Sequence, residues 1–164
     1  MTVSRDDTDT MLQSLTQDAA NEIAVAVEGV VGAFFTSGGY GSLRMHTMSN
    51  EMIARAFRSS ARLMAIQARA FAGGTGTAVA DLVEAHLSDL INRTIEERTE
   101  HIAAGKLPFH DAEILCADLR HELKRWKDAT VRNLRNLPSD MPMDESMRSR
   151  SKRFDDYRMR QRRL

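Results

Sequence analysis

Cysteine, aromatic side chains, long apolar runs and net charge are all scarce in this chain, and each scarcity excludes something. The one cysteine, Cys116, has no second thiol to pair with, and no spaced cysteine or histidine partners surround it to complete a zinc site. A lone thiol suits a reducing compartment, and the opening MTVSRDDTDT is acidic and polar, without the basic and apolar organisation of a secretory signal. The expected location is the cytoplasm. Six Phe, two Tyr and one Trp in 164 residues leave little material for half-buried strands, whereas Ala, Leu, Met, Arg and Glu are plentiful and lose little on entering a helix. That balance points to an all-α protein. The most apolar stretch, IAVAVEGVVGAFF over residues 23–35, is thirteen residues long and contains Glu28, short of the ~20 apolar residues that span a bilayer. A buried central helix is expected there, and no membrane partner.

Zero net charge conceals a polarity. Residues 1–119 hold nine Arg or Lys against sixteen Asp or Glu, and residues 120–164 hold fourteen against seven. The two parts therefore carry opposite charges of equal size, which bears on partners and self-association rather than on fold. With the apolar first helix, this asymmetry suggests a homodimer.

Apolar periodicity supplies the architecture. Leu12, Leu15, Ala19, Ile23, Ala26, Val30 and Phe34 recur every three or four residues, the spacing of one helical face. The glycines of TSGGYGS then end that helix. Residues 43–72 place Met45, Met48, Met52, Ala56, Leu63, Gln67 and Phe71 on one face of a second helix, with Arg55, Arg58, Arg62 and Arg69 on its flank. A third helix over residues 77–104 turns Val79, Val83, Leu87, Leu90, Ile91, Thr94 and Ile102 inward, and Gly105 closes it. Asp111 could cap a fourth, whose stripe runs through Leu115, Leu119, Leu123, Trp126, Thr130, Leu134 and Leu137 before Pro138 stops it. Leu119, Leu123 and Trp126 should be buried, and His121, Asp128 and Arg132 exposed. The expected fold is a bundle of four long helices over residues 9–137, with residues 138–164 as a linker and exposed basic tail.

Several constellations could carry chemistry. In CADLRHELKRWKD, residues 116–128, the order H-x-L-K at His121, Leu123 and Lys124 resembles the phosphoacceptor helix of histidine-containing phosphotransfer domains, themselves four-helix bundles, and RHELKRW is similar to the H-box of histidine kinases. The resemblance covers about ten residues and implies an exposed imidazole at His121 that accepts a phosphoryl group, with Lys124 screening its charge. Arg125 and Trp126 stand where such helices carry a small residue, and no nucleotide-binding glycine box follows. The loop AGGTGTAV lacks a preceding strand and a following Lys-Ser or Lys-Thr, so it reads as a helix–helix turn rather than a phosphate cradle. Asp118 with His121 and Glu97 with His101 have helical metal-ligand spacings, but a di-iron bundle needs two inward Glu-x-x-His units and two more carboxylates. No metal and no cofactor is expected.

Arginines give the firmest signal. Arg55, Arg58 and Arg62 fall within two turns and could bind phosphates, although pairing with the acidic face of the third helix is the favoured reading. In the tail, Arg148, Arg150, Lys152, Arg153, Arg158, Arg160, Arg162 and Arg163 include seven arginines, whose planar forks grip carboxylate or phosphate in two bonds. Phe154 and Tyr157 lie among them, able to stack on bases or fill a pocket. Asp155 and Asp156 weaken a purely electrostatic hold on nucleic acid. The expected function is a non-enzymatic interaction protein, an adaptor or regulator, whose Arg-rich tail engages a protein partner with an acidic surface. The alternatives are nucleic-acid binding through the tail and the helix 2 arginines, and phosphotransfer through His121.

Overall fold

Apolar residues spaced at three and four become four helices, with no strand among the described residues. The computed structural model describes residues 5–72, 76–105 and 107–136, with α1 at Arg5–Thr36, α2 at Leu43–Ala72, α3 at Thr77–Ala103 and α4 at Phe109–Asn136. The protein is an all-α four-helix bundle. The first turn needs its glycines: Gly38 and Gly41 both have φ of 76°, a left-handed conformation that strains any residue with a Cβ. Ser42 then caps α2, its Oγ accepting the Met45 N–H at 3.2 Å. Asp111 does not cap α4 as expected, because the Pro108 carbonyl already accepts the Ala112 N–H at 3.1 Å and starts the helix three residues earlier. Asp111 lies inside the first turn, where its charge still complements the helix dipole.

Cross-helix bonds give the topology. Ser60 on α2 reaches Glu22 on α1, and Arg135 on α4 reaches Asp81 on α3, so α1–α2 and α3–α4 are antiparallel hairpins. Between hairpins the pairing is parallel, with Asp9 meeting His86 across α1 and α3, and Asn50 meeting Leu115 across α2 and α4. The α2–α4 seam is the more extensive of the two, and α1–α3 the thinner.

The core collects Leu12 of α1, Phe57 and Met64 of α2, Val83, Leu87 and Leu90 of α3, and Leu119 and Leu123 of α4, all almost without exposure. The stripes read for α3 and for Leu119 and Leu123 hold, and His121, Asp128 and Arg132 face solvent. Three expectations fail. Trp126 is only half-buried, because it lies at the edge of the α2–α4 seam. In α2 Met45 is buried as expected, but the stripe runs on through His46, Ser49, Ile53, Phe57, Ala61, Met64 and Ala68, whereas Met48 and Phe71 are exposed. The second half of α1 is not a buried central helix: Val25 is 66% exposed and Phe35 71%. By length and composition α1 could cross a membrane, and only 11% of its apolar window is buried in the bundle, so it is not a core helix.

Candidate functional site

Arg55, Arg58 and Arg62 all project from the exposed flank of α2. They do not pair with the acidic face of α3, because α2 packs along α4, and the carboxylates Asp81 and Glu84 of α3 are instead held by Lys127 and Arg135 of α4. None of the three makes an ion pair among the described residues. Arg58 crosses to α4, where its guanidinium carbon lies 4.1 Å from the centroid of the Trp126 ring, and Arg125 approaches the same ring at 5.4 Å. Arg125 also touches Glu122, at a loose 3.8 Å.

Such a stack is worth about 0.5–1 kcal/mol at an exposed site. Its larger effect is on geometry, since a guanidinium lying on a ring keeps its N–H edges free and already oriented. Residues three and four apart rise about 4.5 and 6 Å along a helix, so Arg55, Arg58 and Arg62 form a ladder of cations on one face. This ridge is suited to a row of carboxylates or phosphates.

His121 is exposed on α4 with exposed Lys124 one turn along and Leu123 buried beneath them. The rest of the cation cluster at this level is Arg125 beside Trp126.

A second polar constellation escaped the sequence reading. Arg98 of α3 is 3% exposed and His46 of α2 is 1% exposed. Arg98 Nε donates to Asn50 Oδ1 at 2.8 Å, and its Nη2 contacts His46 O at 3.0 Å and His46 Nδ1 at 3.1 Å. Asn50 Nδ2 passes the connection on to the Leu115 carbonyl at 2.9 Å, joining α4 to the cluster. A guanidinium only donates, so Nδ1 is the acceptor and the imidazole proton belongs on Nε2. Burial, then the charge of Arg98 and that of His101, push the His46 pKa from 6.5 to about 4, so the ring is neutral at physiological pH. Burial likewise lowers Arg98 to about 10, which leaves it charged. His46 Nε2 and Arg98 Nη1 are both buried and have no hydrogen-bond partner among the described residues. The signal was spacing: Leu87, Ile91, Thr94, Arg98 and Ile102 form one stripe, and Arg98 occupies a core position in it.

His86 bridges α1 and α3, with Nε2 2.8 Å from Asp9 Oδ1. Cys116 is half-buried and accepts from Thr99 Oγ1 at 3.6 Å. Among the described residues no three His, Cys, Asp or Glu side chains come together as a metal-binding group. The tail residues Arg148, Arg150, Lys152, Arg153, Phe154, Tyr157, Arg158, Arg160, Arg162 and Arg163, and the linker from residue 138, lie outside the described residues. Compared with models of known protein families, with curated proteins and with solved structures, the chain matches none.

Proposed function

We propose that the chain is a non-enzymatic helical interaction protein of the cytoplasm, an adaptor or regulator, that grips a protein partner with an acidic surface through the α2–α4 ridge and the Arg-rich tail. The observation that carries this reading is the Arg58–Trp126–Arg125 stack, flanked by Arg55 and Arg62 with no carboxylate of their own. Their spacing along α2 matches that of acidic residues three and four apart on a partner helix. Nucleic acid is the second reading, supported by the same cations. It is the weaker because an indole face covered by Arg58 is not open to stack on a base, which is how single strands gain sequence-tolerant affinity.

Fluorescent polyglutamate peptide and single- and double-stranded oligonucleotides, titrated at low and physiological salt, separate the readings. Polyglutamate should bind, and changing Arg55, Arg58 and Arg62 together to Ala should weaken it about tenfold, or roughly 1.4 kcal/mol. These are exposed residues, so the fold should survive. Changing Arg160, Arg162 and Arg163 to Ala tests the tail independently. Oligonucleotide binding that exceeds peptide binding, with a logarithmic salt slope near −0.7 to −0.9 per phosphate, would replace the protein partner by nucleic acid. Absence of binding to either probe sinks both.

A further inference from the structure

The hairpins are antiparallel and lie side by side in parallel, so the α1–α2 turn and the α3–α4 turn share one end of the bundle. A Cβ built on Gly105 of the second turn would stand 3.4 Å from His46 Nε2 in the first turn of α2. Exposed apolar side chains gather at this tip. Phe35, Tyr40, Leu43 and Phe109 lie on it, and Met48 and Ile114 follow about 7.5 Å down their helices. Phe35 and Tyr40 pack edge to face, ring centroids 6.0 Å apart, and each still shows more than half of its surface to solvent. Acidic residues avoid the same place. The chain has 23 Asp and Glu, yet none falls between Glu28 and Glu51, a stretch that covers the whole α1–α2 turn and carries exposed Arg44. Arg44 makes no ion pair among the described residues. Glu28 and Glu51 themselves stand about 12 Å below the tip on α1 and α2. Glu100 and Asp111 border the second turn, which tilts any anionic contact toward the first.

We propose that this end of the bundle docks on an anionic lipid bilayer, with Phe35, Tyr40, Leu43 and Phe109 entering the boundary between headgroups and acyl chains and Arg44 meeting lipid phosphates. Depth and charge both fit. A helix lying in the interface buries its apolar side about 5–10 Å deep, a depth that takes in the apolar side chains of the tip and leaves Glu28 and Glu51 in water. Aromatic rings with a polar edge, as in Tyr40, favour that boundary, and the negative surface potential of a cytoplasmic leaflet attracts Arg44. A second copy fits the tip less well. Two helices by two, each about 10 Å wide, present a cross-section of about 400 Å², half of the roughly 800 Å² that each partner of a stable pair buries. The contact is a landing on the surface, distinct from the bilayer crossing that the length of α1 would allow. It leaves the α2–α4 ridge on the side of the bundle, and the end of α4 at Asn136 at the opposite end, clear of the lipid.

The probe is a phosphatidylcholine vesicle containing about 30% phosphatidylserine, enough to give an anionic surface, with pure phosphatidylcholine as the control. The full chain should float with the anionic vesicles at physiological salt and much less with the neutral ones. Changing Phe35 and Phe109 together to Ala should weaken binding at least about tenfold, and Arg44→Glu about fivefold. These side chains are exposed, so the variants should fold. An Arg-rich tail can hold anionic vesicles by charge alone, so binding undiminished in the Phe35 and Phe109 double variant would assign it to the tail and overturn the proposal. Depth supplies a readout that charge alone does not move. Tyr40→Trp places an indole on the tip, and lipids brominated in their acyl chains should quench it, whereas Trp126 of the unaltered chain should keep its emission. Quenching of Trp126 in the unaltered chain would mean that the bundle lies on its side, and overturns the end-on contact. Sedimentation equilibrium without lipid tests the other occupant: a dimer that Phe35→Ala dissociates would give the tip to a second copy. That result overturns the lipid reading, as does a failure to float with anionic vesicles.

Discussion

Phe57→Ala is expected to lower the stability of the bundle by about 3–5 kcal/mol, the range for truncating a buried aromatic side chain. Phe57 is 0% exposed and belongs to the main core cluster. It lies on α2, which contacts all three other helices, so collapse around the missing ring from one side would open a gap on another. Against a total stability of about 5–15 kcal/mol, that loss removes a large share of the folded population's margin. Urea unfolding followed by circular dichroism should show a much lower midpoint with an unchanged slope. Phe109→Ala is the control, since Phe109 is 77% exposed and should change stability by less than about 0.5 kcal/mol. A loss below about 1 kcal/mol at Phe57 would mean that the packing of α2 described above is wrong.

The second large effect is acid sensitivity from His46. Its pKa falls from 6.5 in the unfolded chain to about 4 in the bundle, so between those values the unfolded state binds the extra proton and the native state does not. Stability is therefore full above pH 6.5 and falls as pH drops through the window to about 4. At about 1.4 kcal/mol per unit, the whole loss is about 3.5 kcal/mol. Other groups titrate over part of the same range, so the measurement is a difference. His46→Asn keeps an acceptor for Arg98 but cannot ionise, and its stability deficit at pH 7 should shrink or reverse by pH 4. A deficit that stays constant across that window would show that His46 does not carry the effect.

Fold class and the helix boundaries from Thr36 to Thr77 were legible because glycines and apolar periodicity agree there, whereas the start of α4 was not. The phase of α2 was not. Met, Ala and Leu make up 13 of its 30 residues and lie on every side of it, and the buried stripe includes His46, Ser49 and Ser60, which residue type alone assigns to the outside. Ser49 is accommodated by donating back to the Met45 carbonyl at 2.9 Å, a local bond that leaves no trace in a hydrophobic pattern. Arg98 was hidden for a related reason: its spacing places it inward, but its charge argues outward until Asn50 and His46 are seen to receive it. The ridge was half legible. Arg55, Arg58 and Arg62 share a face by spacing alone, while the role of Trp126 as the surface on which Arg58 rests depends on α2 and α4 being parallel neighbours, which no local pattern encodes.

The outward half of α1 has a consequence for how the molecule breathes. Gly29 and Gly32 stand in the helix interior with nothing within 4 Å of where a Cβ would be, so each forfeits about 1 kcal/mol of helix propensity relative to Ala without a packing return inside the bundle. With Val25 and Phe35 in solvent, and Val27 the last residue of α1 packed on the main core, fewer core contacts resist fraying here than around Leu12 and Ile23. Amide protons from Val25 to Thr36 should exchange with deuterium through local opening, orders of magnitude faster than those around Leu87 and Leu90, which are released only when the whole bundle unfolds. Exchange of that kind would divide the helix near Ile23 into two cooperative units, one bound to the fate of the core and one that opens while the rest of the bundle stays folded.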